Sequence, residues 1–176
     1  MRKTDLINKL TKKGGNIILT THLFPDADGI GSQIALCLAL RKKGVNAICV
    51  NEEKLEERYQ YLDKNKVVKG LNQFKRDKKK KWNILLVVDT NSLKRIGPKM
   101  ISLAQEVDEI FFIDHHPITN KKLVPQNIYL RSDLCATGEV VGNLIEDMGV
   151  KFDYDMAICL YTAILIDTSS FRYPKV

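Results

Sequence analysis

No two of the four cysteines, Cys37, Cys49, Cys135 and Cys159, stand as a C-x-x-C pair. That spacing argues against a thiolate zinc site or a dithiol redox motif. Each lies in an apolar stretch, the setting of buried reduced thiols in a cytoplasmic protein. No apolar run approaches the ~20 residues that a membrane-spanning helix needs. The charged, amphipathic start (Met1-Arg2-Lys3-Thr4-Asp5) is unlike a secretory signal. There is no internal repeat, no long linker and no Gly-x-x-x-x-Gly-Lys-Ser/Thr loop. Gly29-x-Gly31 begins like a dinucleotide fingerprint, but its third glycine position is Ile34. Asp26 and Asp28 would repel a pyrophosphate there, so that reading is rejected.

What is present suffices for one domain: 176 residues of ordinary globular composition. The net charge of +7 favours polyanionic partners such as nucleotides or RNA. Much of it is local, in Lys75-Arg76-Asp77-Lys78-Lys79-Lys80-Lys81, which reads as a solvated loop in preference to a binding patch.

Hydrophobic patterning predicts a helix over Lys3 to Lys13, a buried strand over Asn16 to Thr21, a helix over Asp28 to Lys43 and a strand over Val45 to Val50. Glu52 to Lys69 is polar and reads as an exposed helix. Ile84 to Asp89 and Glu109 to Asp114 are continuous apolar strands, as in a parallel sheet covered on both faces. A short helix falls within Ile96 to Glu106, and Asn127 to Leu130 is a short extended segment. Thr137 to Met148 is a helix with Thr137 as its cap, and Tyr154 to Ile166 is a long apolar helix. The alternation predicts an α/β fold: a doubly wound, mainly parallel five-stranded sheet flanked by helices.

The three histidines, scarce for this length, fall in two segments that also carry aspartates: Thr21-His22-Leu23-Phe24-Pro25-Asp26-Ala27-Asp28-Gly29-Ile30-Gly31-Ser32 and Phe112-Ile113-Asp114-His115-His116-Pro117. Each follows an apolar run, placing it at the carboxyl end of a strand, where open α/β sheets bind ligands. Asp89 ends another strand and Asp167 a helix. Carboxylates with some imidazole suit Mn²⁺ or a related divalent ion, and so many acids crowd one rim only if cations neutralise them. Two ions ~3.5–4 Å apart would use the whole set and generate a bridging hydroxide for in-line attack on phosphorus. Taken singly, each motif is equally a cap, a turn or a strand exit, but four such features coincide.

Four ordered motifs, His22-x-x-Pro25-Asp26-x-Asp28-x-x-Gly31-Ser32, Asp89-Thr90, Asp114-His115-His116 and Asp167-Thr168, resemble those of the DHH phosphoesterase superfamily. The segments Val88 to Gly97 and Ile166 to Arg172 look most like the nanoRNase branch, which hydrolyses short oligoribonucleotides and removes the 3′-phosphate of 3′-phosphoadenosine 5′-phosphate. The resemblance implies that His22 and Asp26 hold one metal, that Asp28, His115 and Asp167 hold the other, and that Asp89 bridges them. It implies that His116 faces the substrate phosphate, and that Asp114 orients a histidine ring. Gly29 and Gly31 would permit close approach to the site, and Ser32 would support a ligand or a phosphate. Arg172 is a candidate substrate contact, while Arg95, Arg131 and Glu139 read as ordinary surface or helix-start residues.

The expected cofactors are thus two divalent ions, Mn²⁺ by preference, and the expected partners are short RNA or nucleotide phosphates, with no membrane and with homodimerisation left open. Pyrophosphatase or exopolyphosphatase activity on the same centre, single-strand DNA exonuclease activity, and an RNA-binding module with an inert rim are the alternatives. The family's smaller C-terminal substrate-binding domain is not represented, and the abrupt end at Ser169 to Val176 reads as that of a fragment. Residues 1–176 are therefore expected to bind Mn²⁺ yet hydrolyse oligonucleotides poorly. Equal turnover by a longer form at the same metal occupancy would refute this.

Overall fold

The computed structural model describes residues 1–74, 81–118 and 124–172. The element order is α1 (Lys3–Leu10), β1 (Asn16–Thr20), α2 (Ala27–Lys42), β2 (Asn46–Asn51), β3 (Val68–Gly70), β4 (Ile84–Val88), α3 (Pro98–Ala104), β5 (Glu109–Asp114), β6 (Ile128–Leu130), α4 (Thr137–Asp147) and α5 (Tyr154–Asp167). The strands form one sheet in the order β3-β2-β1-β4-β5-β6, and every neighbouring pair is parallel.

The sheet thus has six strands, one more than the pattern predicts. The polar stretch Glu52 to Lys69 is not an α-helix: it holds a single 3-10 turn at Glu57–Leu62 and then β3. Tyr59 and Leu62 bury their side chains, and the Asp63 carboxylate accepts the N–H groups of Val67 and Val68 at 2.7 and 3.0 Å, turning the chain onto the sheet edge. A three-residue strand has no periodicity to read.

Each central strand is buried on both faces, which explains its unbroken apolar sequence. Ile17, Leu19, Ile84, Leu86, Val88, Phe111 and Ile113 point to a core shared with α1, α2, α4 and α5. The alternate residues Ile18, Leu85, Val87 and Phe112 point to a second core closed by Trp82, Met100 and Leu103. Cys37, Cys49 and Cys159 are buried in the first of these layers, but Cys135 is half-buried, so the expectation of buried thiols fails there. All but one residue of the lysine-rich run lies outside the described residues. Lys81, the exception, pairs with Asp108 at 2.7 Å. Among the described residues no helix is long and apolar enough to cross a membrane.

The topology locates the site. From β1 the chain runs outward to β2 and β3, then returns to β4 on the opposite side of β1 and continues to β5 and β6. The loops leaving β1 and β4 therefore diverge, opening the crevice in which such sheets bind ligands.

Candidate metal centre

Beyond β1, His22 and Asp26 stand at the mouth of that crevice. His22 sets its Nδ1 2.8 Å from the Leu23 carbonyl, leaving Nε2 3.4 Å from Asp89 Oδ2. Asp26 is the N-cap of α2, its Oδ1 accepting from the N–H groups of Asp28 and Gly29 at 3.0 and 3.1 Å. The helix-cap reading thus holds for Asp26, which also stands close to His22 and Asp89. Gly29 is required by close approach, because a Cβ there would lie 2.5 Å from Thr21 Oγ1 and 3.2 Å from Asp89 Oδ2. Gly31 serves a different purpose from the expected one. Its missing side chain admits the backbone of α5, with Cys159 O 2.4 Å from where a Cβ would stand.

Asp89, the first residue beyond β4, has φ +63°. Asp visits this left-handed region more readily than most side chains, and such outliers collect at functional sites. The carboxylate is buried, and its Oδ1 accepts the hydroxyl of Thr137 at 2.9 Å. Thr137 therefore does not cap α4, as the sequence suggested. The carboxylate of Asp28 takes that place, accepting the N–H groups of Thr137 and Gly138 at 2.7 Å each, with Ser32 Oγ donating to it at 3.2 Å. A negative side chain on the positive end of α4 is favourably placed. Ser32 thus bonds an aspartate and not a phosphate. Thr137 and Gly138 were missed because Ala136-Thr137-Gly138-Glu139 reads as a helix start whatever caps it.

At the end of β5, Asp114 Oδ1 accepts from the backbone N–H groups of His115 and His116 at 2.9 and 3.2 Å and from His116 Nδ1 at 2.8 Å. The ring it orients is that of the outward-facing His116, not that of His115. His115 has its Nδ1 3.4 Å from Leu134 O, and its Nε2 lies 3.3 Å from Asp167 Oδ2 and 3.8 Å from Asp28 Oδ2.

Two triads result: His22, Asp26 and Asp89, and Asp28, His115 and Asp167. Within each, one ligand-type atom per residue lies within 4.8 Å of the others. Asp89, His115 and His116 satisfy the same test. Arg172 is exposed, its backbone N–H bonds Thr168 O, and no contact of its guanidinium with the cluster is present among the described residues.

Comparison with known proteins identifies the family and the fold. The DHH family, N-terminal domain, matches residues 16–164. The chain belongs to the DHH family. This DHH chain is 28% identical over 165 residues to the bifunctional oligoribonuclease and PAP phosphatase NrnA of Thermus thermophilus, covering 90% of itself and 45% of that protein. It is 26% identical over 165 residues to the manganese-dependent inorganic pyrophosphatase of Bacillus subtilis, covering 90% of itself and 50% of that protein. The chain spans about half the length of these relatives. Its fold superposes on an exopolyphosphatase-related protein from Bacteroides fragilis with a TM-score of 0.82 at 22% identity, covering 97% of this chain and 51% of that one.

The electrostatics of the site fit a divalent cation. Burial, then the Asp89 charge, push the Asp28 carboxyl well above the usual range, and burial raises Asp167 despite the opposing pull of His115. Burial disfavours protonated His22, but Asp89 and the Leu23 carbonyl outweigh it and raise the pKa. Asp114 likewise raises His116. His115 Nε2 and Asp114 Oδ2 are buried with no hydrogen-bond partner. An unpaired imidazole nitrogen facing two crowded carboxylates is a donor set that suits a divalent cation.

A pH dependence follows for the metal-free protein. The stability contributed by Asp28 and Asp167 is fully present below the ordinary carboxylate pKa of about 4 and is lost as pH rises through their raised values. The raised histidines act in the same direction from about 6.5. Thermal unfolding in chelator should therefore show higher stability near about pH 5.5 than near about pH 8. Saturating Mn²⁺ should stabilise more at the higher pH, since ligands bind deprotonated. A Mn²⁺-induced shift independent of pH would contradict this.

Proposed function

We propose that this chain forms the catalytic domain of a two-metal, Mn²⁺-dependent phosphoesterase acting on short oligoribonucleotides, on 3′-phosphoadenosine 5′-phosphate, or on both. The observation that carries the reading is the pair of donor triads at adjacent strand ends, with Asp89 between them. In this reading His22, Asp26 and Asp89 hold one ion, Asp28, His115 and Asp167 hold the second, and Asp89 is shared. When bound, such ions lower the pKa of a coordinated water and neutralise charge developing on phosphoryl oxygens.

The remaining roles belong to the chain's own side chains. His116 donates from Nδ1 to Asp114, which favours its protonated form, and its half-exposed ring is free to hydrogen-bond a phosphoryl oxygen through Nε2. Thr137, donating to Asp89, and Ser32, donating to Asp28, hold those carboxylates in place before any substrate arrives. Further substrate contacts are assigned to a C-terminal domain of the kind that the resemblance implies.

Similarity to NrnA supports the nucleotide substrates, and similarity to a pyrophosphatase supports a rival that a substrate panel decides. With Mn²⁺, the protein should release mononucleotides from triadenylate, slowly in residues 1–176 alone, or phosphate from 3′-phosphoadenosine 5′-phosphate. Phosphate release from pyrophosphate or polyphosphate, with both nucleotide substrates intact, would give the site to the rival. RNA binding that is salt-sensitive, survives chelation and brings no hydrolysis would mark a binding module instead.

A further inference from the structure

Phe24 projects from the loop between the proposed ligands His22 and Asp26 and is 85% exposed. Its φ is +50°, a left-handed conformation unfavourable to a bulky side chain. The loop is nevertheless fixed: Leu23 N donates to Arg95 O at 2.7 Å, Pro25 follows, and Asp26 caps α2. A strained loop that holds an aromatic ring out into solvent asks for a ligand face.

That ring borders a cavity of about 310 Å³ whose walls include His22, Leu23, Pro25 and Leu55. The cavity is at the small end of the ligand range, roughly 300–1,000 Å³, and it is mainly apolar. Glu52, Glu53 and Glu56 also line it, which disfavours a phosphate there but not a neutral heterocycle. Lys54 and Leu55 are shared with a second cavity of about 320 Å³, into which Lys66 and Lys69 also face. None of these three lysines makes an ion pair among the described residues. From the metal rim outward the surface therefore reads: imidazole and carboxylates, then an aromatic and mainly apolar slot edged by glutamates, then Lys54, Lys66 and Lys69 around Asp63, whose charge interacts with that of Lys69.

We infer that this groove is an oligonucleotide subsite, in which a nucleobase next to the reacting phosphate stacks on Phe24 and a further backbone phosphate meets Lys54, Lys66 and Lys69. The inference rests on the proposed nucleotide phosphoesterase reading. It adds a structural reason for a chain of nucleotides, which pyrophosphate has no means to exploit.

The test is equilibrium binding of phosphorothioate triadenylate, and of pyrophosphate, to the Mn²⁺-loaded protein. Stacking contributes enough per base that Phe24→Ala should weaken triadenylate binding by roughly five- to hundredfold. That loss should exceed any loss of pyrophosphate affinity, and Phe24→Trp should restore binding. The combined Lys54→Ala, Lys66→Ala and Lys69→Ala variant should weaken triadenylate and flatten its salt dependence. If wild type binds triadenylate but Phe24→Ala and the lysine variant bind it equally well, the subsite is wrong while the nucleotide reading stands. If wild type binds only pyrophosphate, the nucleotide reading fails and the subsite with it.

Discussion

Replacing Asp89 by asparagine should lower metal-dependent hydrolysis by on the order of 10³-fold while leaving the metal-free protein folded. Asp89 is the carboxylate that both donor triads approach, with Oδ2 3.4 Å from His22 Nε2 and its charge felt by Asp28 and Asp167. Loss of one shared anionic ligand removes several kcal/mol of charge stabilisation, and about 4 kcal/mol is a thousandfold in rate. The fold should tolerate the change. The asparagine oxygen can still accept from Thr137, its amide can still meet His22, and the change removes like-charge repulsion from a buried cluster. The separation of effects is the signature. Initial rates should collapse, the Mn²⁺-induced rise in melting temperature should shrink, and the melting temperature in chelator should hold or rise. Retained turnover would show that another carboxylate bridges. A collapse of chelated stability would show that Asp89 is chiefly structural.

Gly31→Ala should have the opposite profile, with a large effect on stability. A Cβ at position 31 would stand 2.4 Å from the carbonyl oxygen of Cys159 and 3.1 Å from Ala163 Cβ. The first of these is backbone inside α5 and cannot step aside. Either α2 and α5 separate, breaking the buried interface in which Gly31 meets Cys159 and Ala163, or both helices shift. Overpacking of this kind costs about 3 kcal/mol. In a chain of this size that is a drop in melting temperature of roughly 6–12 °C. Because α5 ends at Asp167 and α2 begins beside Asp26 and Asp28, a shift of either helix also pulls the triads apart. Gly31→Ala should therefore weaken Mn²⁺ affinity as well. Unchanged unfolding by heat or denaturant would mean that α2 and α5 pack less closely than described.

Most of the site was legible in the sequence because its residues follow features that sequence encodes well. His22 lies two residues beyond an apolar strand, Asp89 directly follows another, Asp114-His115-His116 runs off the end of a third, and Asp167 ends a strongly apolar helix. What sequence could not show was long-range bonding by residues that look locally ordinary. Asp28 caps a helix that starts more than a hundred residues later, and Thr137 reaches Asp89 across the crevice. Nothing within a few residues of either records those partners. The pair assigned by resemblance to Asp114 shows the same limit: sequence could say that it orients a ring, but only geometry says that the ring is His116. The additional strand, β3, escaped because three residues at the end of a polar segment carry no pattern, and what fixes it is the hydrogen bonding of Asp63.

The most direct test of the account is anomalous scattering from crystals soaked in Mn²⁺. Two peaks separated by ~3.5–4 Å are expected, one against His22, Asp26 and Asp89, the other against Asp28, His115 and Asp167, with Asp89 between them. No density on this rim at saturating Mn²⁺, or ions bound only elsewhere on the surface, would contradict it.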